Sequence, residues 1–427
     1  MNQTINQGRR ANTGGERLRI AVIGAGIVGT CCASWLKRDG HELTLIEAEE
    51  PEAGASWGNA GALSPGSCIP LSMPGGLRKV PRWLLESDGP LVVRPAYALR
   101  AAPWLIRYIA AGRSSVVPRL ADALRALHGP VYECYKPLLA AANAESLIRR
   151  TGNLVVYRDG GGFERGMKEW QMRRDRGAVF EVLDGPRIRA LVPALSPAFE
   201  RGVLQPEHGY VADPALLVRR LAEHVLEEGG SRVRDRVVAV VPLEGMVRID
   251  LASGAMLTAD RVVIAAGAWS KALLARLGVT IPLETQRGYH LHLRSPGMSL
   301  PMPVSFSEDK FYATPMDSGI RLAGTVEFAG LDAPPNFERA RQLGELARRW
   351  LPDLRVDGAT EWMGHRPCLP DSLPVIGPLP ADGRVLLAFG HGHNGMTGAP
   401  GTGRMIADMV AGRATHIDAA PFRPDRF

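Results

Sequence analysis

The chain has 427 residues, of which 45% are hydrophobic and 22% charged. That is ordinary soluble usage, so a mostly disordered chain and a small disulfide scaffold are both excluded, and the length suits two or three domains or two interleaved ones. A net charge of +7 permits attraction to an anionic surface, but the scattered Lys and Arg carry no nucleic-acid-binding signature, and no nucleic-acid partner is expected. Cys31, Cys32, Cys68, Cys134 and Cys368 are odd in number and contain no CxxC pair. This argues for a reducing compartment and against structural zinc, and no metal is expected.

Residues 1–17 are polar and lack the apolar run of a signal peptide, so they read as a frayed tail on a cytoplasmic protein. Order begins at Leu18. Residues 18–23 form a buried strand that runs into Gly24-Ala25-Gly26-Ile27-Val28-Gly29. A helix follows to about Arg38, Gly40 ends it, and residues 43–46 form a second strand closing on Glu47. In this βαβ unit Gly24 permits the tight turn, Gly26 lets a pyrophosphate approach the backbone, and Gly29 lets helix and strand pack closely. The helix N-terminus offers N–H groups and a positive dipole end to phosphates. Glu47 stands where a carboxylate accepts hydrogen bonds from a ribose diol. The pattern predicts dinucleotide binding.

The run Ala55-Ser56-Trp57-Gly58-Asn59-Ala60-Gly61-Ala62-Leu63-Ser64 follows, its small residues suited to close packing against a flat or phosphorylated ligand. The chain then leaves the nucleotide-binding pattern until about residue 205. Within 69–113, Arg78, Lys79, Arg82, Arg94, Arg100, Arg107 and Arg113 alternate with Trp83, Leu84, Leu85, Trp104, Leu105, Ile106 and Ile109. Such a segment suits either a membrane interface or surface helices packed on the core. No stretch of about 18 apolar residues suits a transmembrane helix.

Helical patterns cover 120–142 and 162–178. Asp213 and Pro214 read as N-cap and first residue of a helix that Gly229-Gly230 stops. Strands are expected at 232–234, 236–241, 246–251 and 261–267, an antiparallel sheet at 286–293, 310–315 and 321–325, and a helix at 338–351. A last buried strand at 384–390 leads into His391-Gly392-His393-Asn394-Gly395-Met396-Thr397-Gly398 and a helix to about Val410. A glycine-rich strand-to-helix turn near each end of the chain suits one extended cofactor held at both ends, FAD rather than NAD.

These features together resemble the FAD-dependent D-amino-acid oxidase and glycine oxidase superfamily. The similarity is closer to bacterial D-amino-acid dehydrogenases, through Trp57-Gly58-Asn59-Ala60-Gly61, Arg287-Gly288-Tyr289-His290, and Trp362-Met363-Gly364-His365-Arg366-Pro367 running on to Gly377. The resemblance covers about 18–412. It implies an α/β fold in which a Rossmann-like FAD-binding domain (18–66, 206–278 and 363–427) is interleaved with a mixed-sheet α+β substrate domain (67–205 and 279–362).

FAD contacts are then expected from Gly24, Ala25, Gly26, Ile27, Val28, Gly29, Glu47 and Ala48, and from Ser56, Trp57, Asn59, Ala60, Gly61 and Leu63. Further contacts are expected from Val237, Ala266, Gly267 and Trp269, and from Gly364, Gly392, Asn394, Gly395, Met396 and Thr397. The resemblance assigns a substrate carboxylate to Arg366, whose planar fork gives two charge-assisted bonds, and to the hydroxyl of Tyr312. His393 stands where glycine oxidases tend to carry a second arginine, and it is expected to touch the substrate or the flavin. Ala62, Tyr289 and His290 are expected near the substrate.

The implied reaction is hydride transfer from Cα of a D-amino acid, including a cyclic one such as D-proline or hydroxy-D-proline, to the flavin. Electrons then pass to a quinone or other respiratory-chain acceptor, with a peripheral membrane contact through 69–113. The alternatives are an oxygen-using oxidase of the same fold, a non-catalytic FAD-binding electron-transfer subunit, and a metal site at His391 and His393, for which the glycine-rich context gives little support.

Overall fold

The apolar run Arg19–Ile23 is buried along nearly its whole length, as a strand covered on both faces must be. It pairs in parallel with Glu42–Glu47 on one side and Arg261–Ile264 on the other. Ser231–Arg234 extends the sheet beyond Glu42–Glu47, and Asp382–Phe389 extends it beyond Arg261–Ile264, both in parallel. Val375–Leu379 closes that edge antiparallel. The computed structural model describes residues 16–48, 54–75 and 91–427. The basic and aromatic residues Arg78, Lys79, Arg82, Trp83, Leu84 and Leu85, and residues 1–15 of the polar tail, lie outside them.

The helices Ile27–Arg38 and Gly395–Val410 bring the two ends of the chain together. At Gly403 a Cβ would stand 2.6 Å from the Cys31 carbonyl oxygen, so only glycine allows the helices this approach. The helical pattern at 120–142 is two helices, Val117–His128 and Val131–Ala141, because Gly129-Pro130 interrupts the run. Leu120, Leu124 and Leu127 join the core of the six-stranded sheet with Ile20, Val22 and Leu45.

A second sheet has nine strands. Its main path runs Thr360–Cys368, Glu284–Leu293, Gly319–Phe328, Phe311–Met316, Val304–Phe306, Asn153–Tyr157, Arg201–Gln205 and Glu181–Asp184, with Leu91–Val93 pairing to Gly319–Phe328. The domain boundary expected at 362/363 thus falls inside one of its strands. Side chains alternate across a strand, and here the two faces differ in kind. On the back, Leu291, Leu293, Ile320, Leu322, Phe311 and Ala313 pack with Leu343 and Ala347 of helix Glu338–Trp350. The front carries polar groups. A register shift opposite Arg287 and Tyr289 marks a bulge in Gly319–Phe328, where Thr325 adopts φ +60°, a costly conformation for a β-branched residue.

Small sheets at Val237–Pro242, Val247–Leu251 and Met256–Ala259, and at Ala62–Leu63, Gly209–Val211 and Ile148–Arg149, complete the frame. Asp213 caps helix Pro214–Glu227 by accepting from Leu216 N at 2.9 Å. Helix Ala98–Ala111 turns Ala101, Trp104 and Tyr108 inward against Phe328 and Cys368. Trp104 therefore faces the core, while Leu99 and Ile106 are 90% and 67% exposed. No helix among the described residues is long and apolar enough to cross a membrane.

Candidate active site

The glycines of the first turn are fixed by sterics. Gly24 has φ +101°, and a Cβ on it would lie 2.5 Å from the Ala265 carbonyl oxygen. A Cβ at Gly29 would fall 1.8 Å from the Gly24 carbonyl oxygen, so no side chain fits there without moving the helix. Gly26 is open, with only Ser56 Oγ at 3.2 Å, and it precedes helix Ile27–Arg38 in extended backbone. The Glu47 carboxylate accepts from Ala25 N (2.6 Å) and Ala48 N (3.0 Å), and Ser56 Oγ accepts from Ile27 N at 3.0 Å.

At the other end, Asn394 precedes helix Gly395–Val410 and Gly392 has φ +57°. A Cβ on Gly395 would be 3.9 Å from Ile27 Cγ2, so the two glycine turns meet. The Thr397 hydroxyl accepts from Ser64 N (3.1 Å) and donates to the Ala62 carbonyl (3.2 Å). The Met396 carbonyl accepts from Tyr135 Oη at 2.8 Å. Gly267 (φ +55°) turns the chain after Arg261–Ile264, and the Trp269 ring meets the edge of His365. Val237 is buried at the start of its meander, packed among Ile46 and Ile264.

The small residues of 56–64 were expected to make room for a ligand, and several serve the protein instead. A Cβ at Gly58 would stand 2.3 Å from the Trp362 indole, and one at Gly61 (φ +74°) 2.6 Å from the Val211 carbonyl oxygen. A Cβ at Gly364 would likewise fall 2.0 Å from the Trp362 ring. Trp362 stacks on His290, with centroids 5.0 Å apart. Asn59 Oδ1 accepts from Gly61 N. The carbonyls of Trp57, Gly58, Asn59 and Ala60 meet Arg321, His290 and Thr314 on the front of the nine-stranded sheet.

On that face Arg366 pairs in register with Gln286, Gly364 with Gly288, and Trp362 with His290. The Arg366 guanidinium lies over Gly288, where a Cβ would be 2.1 Å from Cζ. Its Nη1 donates to the Thr325 carbonyl at 2.9 Å, so the strained bulge aims an acceptor at the arginine. No carboxylate among the described residues pairs with Arg366. Burial lowers its pKa from the usual arginine range, as desolvating an uncompensated cation must.

Tyr312 lies on the same face, in the row Tyr312, Ala323, His290, Trp362. Its hydroxyl bonds to no described residue, and burial pushes its pKa up. His393 is exposed toward a cavity of about 140 Å3 between 67–71 and 390–394. Crowding by the cavity wall first, then the charge of Arg366, shifts its pKa downward.

Tyr289 is not brought into this group. As the neighbour of His290 on one strand it points to the back, where its hydroxyl donates to Glu327 Oε2 at 2.6 Å and accepts from Asn336 N. Glu327 also pairs with Arg94 at 2.7 Å and stands 3.8 Å from the fully buried Arg287. Sequence reasoning missed Gln286, which is 3% exposed and makes no side-chain hydrogen bond to a described residue. It also missed the Thr325 carbonyl. The register with Arg366 could have pointed to Gln286, but no local pattern announces the bulge.

Residues 19–409 match the family described as DAO, FAD dependent oxidoreductase. A D-amino-acid oxidase of Bradyrhizobium diazoefficiens is 38% identical over 429 residues, covering 96% of this chain and 99% of its own. The chain belongs to the DAO family of FAD-dependent oxidoreductases. Among solved structures of like fold, glycine oxidase from Geobacillus kaustophilus has a TM-score of 0.74 at 21% identity, covering 97% of this chain and all of its own. L-proline dehydrogenase from P. horikoshii has 0.73 at 18%, covering 96% and 98%.

The cofactor of the family is FAD, and the residues present suit it. The cradle at Gly24, Gly26 and Gly29 leaves backbone N–H groups free of Cβ cover at a helix N-terminus, where phosphate is favoured. The Glu47 carboxylate, oriented by two amides, retains lone pairs for a ribose diol.

Proposed function

We propose that the protein oxidises the CH–NH bond of a D-amino acid to the imine, with D-proline and hydroxy-D-proline among the candidates, and that electrons leave to a quinone or another acceptor than oxygen. Arg366 carries this reading. A partly buried guanidinium without a carboxylate partner among the described residues is costly, and an α-carboxylate would supply two parallel charge-assisted bonds. Tyr312 then donates a second hydroxyl bond to the same carboxylate, and Gln286 offers an amide beside it. Neutral His393 adds no competing cation. Gly288 leaves the space in which the Arg366 guanidinium lies, and Ala323 keeps the sheet floor low between Tyr312 and His290.

FAD, when bound, supplies the two-electron acceptor. The chain's part is to orient Cα, exclude water and hold the carboxylate. A substrate whose amine binds unprotonated needs no general base, and none is assigned. The imine formed from an open-chain substrate hydrolyses in water to a 2-oxo acid and ammonia, while a cyclic substrate gives a pyrroline carboxylate.

A second reading has oxygen as acceptor, favoured by the name of the 38%-identical relative. A panel of D-amino acids, D-proline and glycine assayed with an artificial electron acceptor tests the substrate. Turnover with none of them would remove the proposal. Stoichiometric peroxide in air would decide for the oxidase. The outer face of helix Ala98–Ala111, with Leu99 and Ile106 beside Arg100 and Arg107, supports peripheral contact with anionic lipid. Co-sedimentation with anionic but not neutral vesicles is expected, and its absence would remove the contact.

A further inference from the structure

Four successive carbonyls of the loop 57–60 are taken up by three side chains from three neighbouring strands. Arg321 Nη1 donates to the Asn59 carbonyl at 2.6 Å and, at 3.4 Å, to that of Trp57. His290 Nδ1 lies 2.8 Å from the Gly58 carbonyl, which can only accept, so the imidazole carries its proton on Nδ1. Thr314 Oγ1 donates to the Ala60 carbonyl at 2.8 Å. Register places Thr314 opposite Arg321, and Arg321 opposite His292, two residues from His290.

In a trans peptide the carbonyl of one residue and the N–H of the next point in opposite directions. Carbonyls drawn to the sheet therefore turn the N–H groups of Gly58, Asn59, Ala60 and Gly61 away from it. Asn59 N is used by the Ser56 carbonyl and Gly61 N by Asn59 Oδ1. Gly58 N and Ala60 N have no partner among the described residues. Arg321 itself is 8% exposed and forms no ion pair with a described residue. Its charge is met by peptide oxygens, which polarises those peptides toward stronger donation at their N–H ends.

We propose that Arg321, His290 and Thr314 are positioning residues for FAD, which hold this loop so that the amides of Gly58 and Ala60 face acceptor atoms of the cofactor. The substrate-facing sheet thereby takes part in cofactor affinity, although none of the three side chains needs to touch FAD. The inference rests on the reading that 56–63 lies against FAD, and two measurements separate them.

Hydrogen exchange of apoprotein with and without FAD tests the loop. Amides of 57–61 should slow when FAD is added, and unchanged exchange there would remove the reading beneath the proposal. Quenching of free FAD fluorescence on titration with apoprotein tests the clamp. Arg321→Met, of similar volume, should raise the dissociation constant about tenfold or more, Thr314→Val several-fold, and Thr314→Ser hardly at all. Unchanged constants for both Arg321→Met and Thr314→Val, with the loop still protected by FAD, would overturn the clamp alone. If Arg321→Met does not fold, the contrast between Thr314→Val and Thr314→Ser decides.

Discussion

The glycine cradle and the front of the nine-stranded sheet are built on opposite plans. The cradle is backbone: Gly24, Gly26 and Gly29 lie within six consecutive residues, and their work is to have no Cβ. The sheet face is side chains: Arg366, Gln286, Thr314, Arg321 and Tyr312 come from four strands and meet only through register. A change in the cradle is therefore a change of shape and should act on folding and cofactor retention together. A change on the sheet face is a change of chemistry in a frame whose stability comes from its apolar back.

The largest effect is expected from Gly29→Val. Its Cβ would overlap the Gly24 carbonyl, so the variant should lose about 3 kcal/mol or more of stability and purify without yellow colour. A yellow, wild-type-stable variant would refute the steric account. Arg366→Ala should fold at least as well as wild type, since it removes a partly buried cation that has no carboxylate partner among the described residues. It should raise KM about a hundredfold, corresponding to about 2.8 kcal/mol, within the range for truncating one side of a buried charge pair. An unchanged KM would place the anchor elsewhere. Tyr312→Phe should cost about 1 kcal/mol, seen as a several-fold rise in KM with unchanged FAD affinity.

A separate effect is graded with pH. Burial lowers the pKa of His128 to about 4 and of His208, His290 and His391 to about 3, from 6.5. Below 6.5 the unfolded chain binds protons that the folded chain refuses, so these groups' contribution to stability is present above about pH 6.5 and is lost as pH falls toward 4. The Tm should drop steadily over that interval. A flat profile between pH 7 and 4.5 would contradict the neutral state of these rings.

The same contrast explains what could be read from the sequence. The cradle was legible because its parts are contiguous: strand, glycines, helix and Glu47 follow one another, and sterics give each glycine its reason. The strands at 261–264 and 382–389 were legible as apolar runs. The sheet face was legible only in part. Arg366, Tyr312 and His290 reach it, but Tyr289 was placed with His290 although alternation allows only one of two adjacent strand residues to face a pocket. The strands Asn153–Tyr157 and Arg201–Gln205 were lost in a region of mixed pattern, because they are held by partners that do not follow them directly in the chain: Asn153–Tyr157 pairs with Val304–Phe306 and with Arg201–Gln205. The glycines at 58, 61 and 364 showed that backbone came close to something. Only the fold shows that the neighbours are Trp362 and the Val211 carbonyl.

The most direct measurement compares an amino acid with the amine that lacks its carboxylate, added anaerobically to the FAD-loaded protein. The account predicts that the amino acid bleaches the flavin at far lower concentration than the amine, and that Arg366→Ala erases this difference. Equal bleaching of the wild-type protein by both, or a difference that survives in Arg366→Ala, would contradict it.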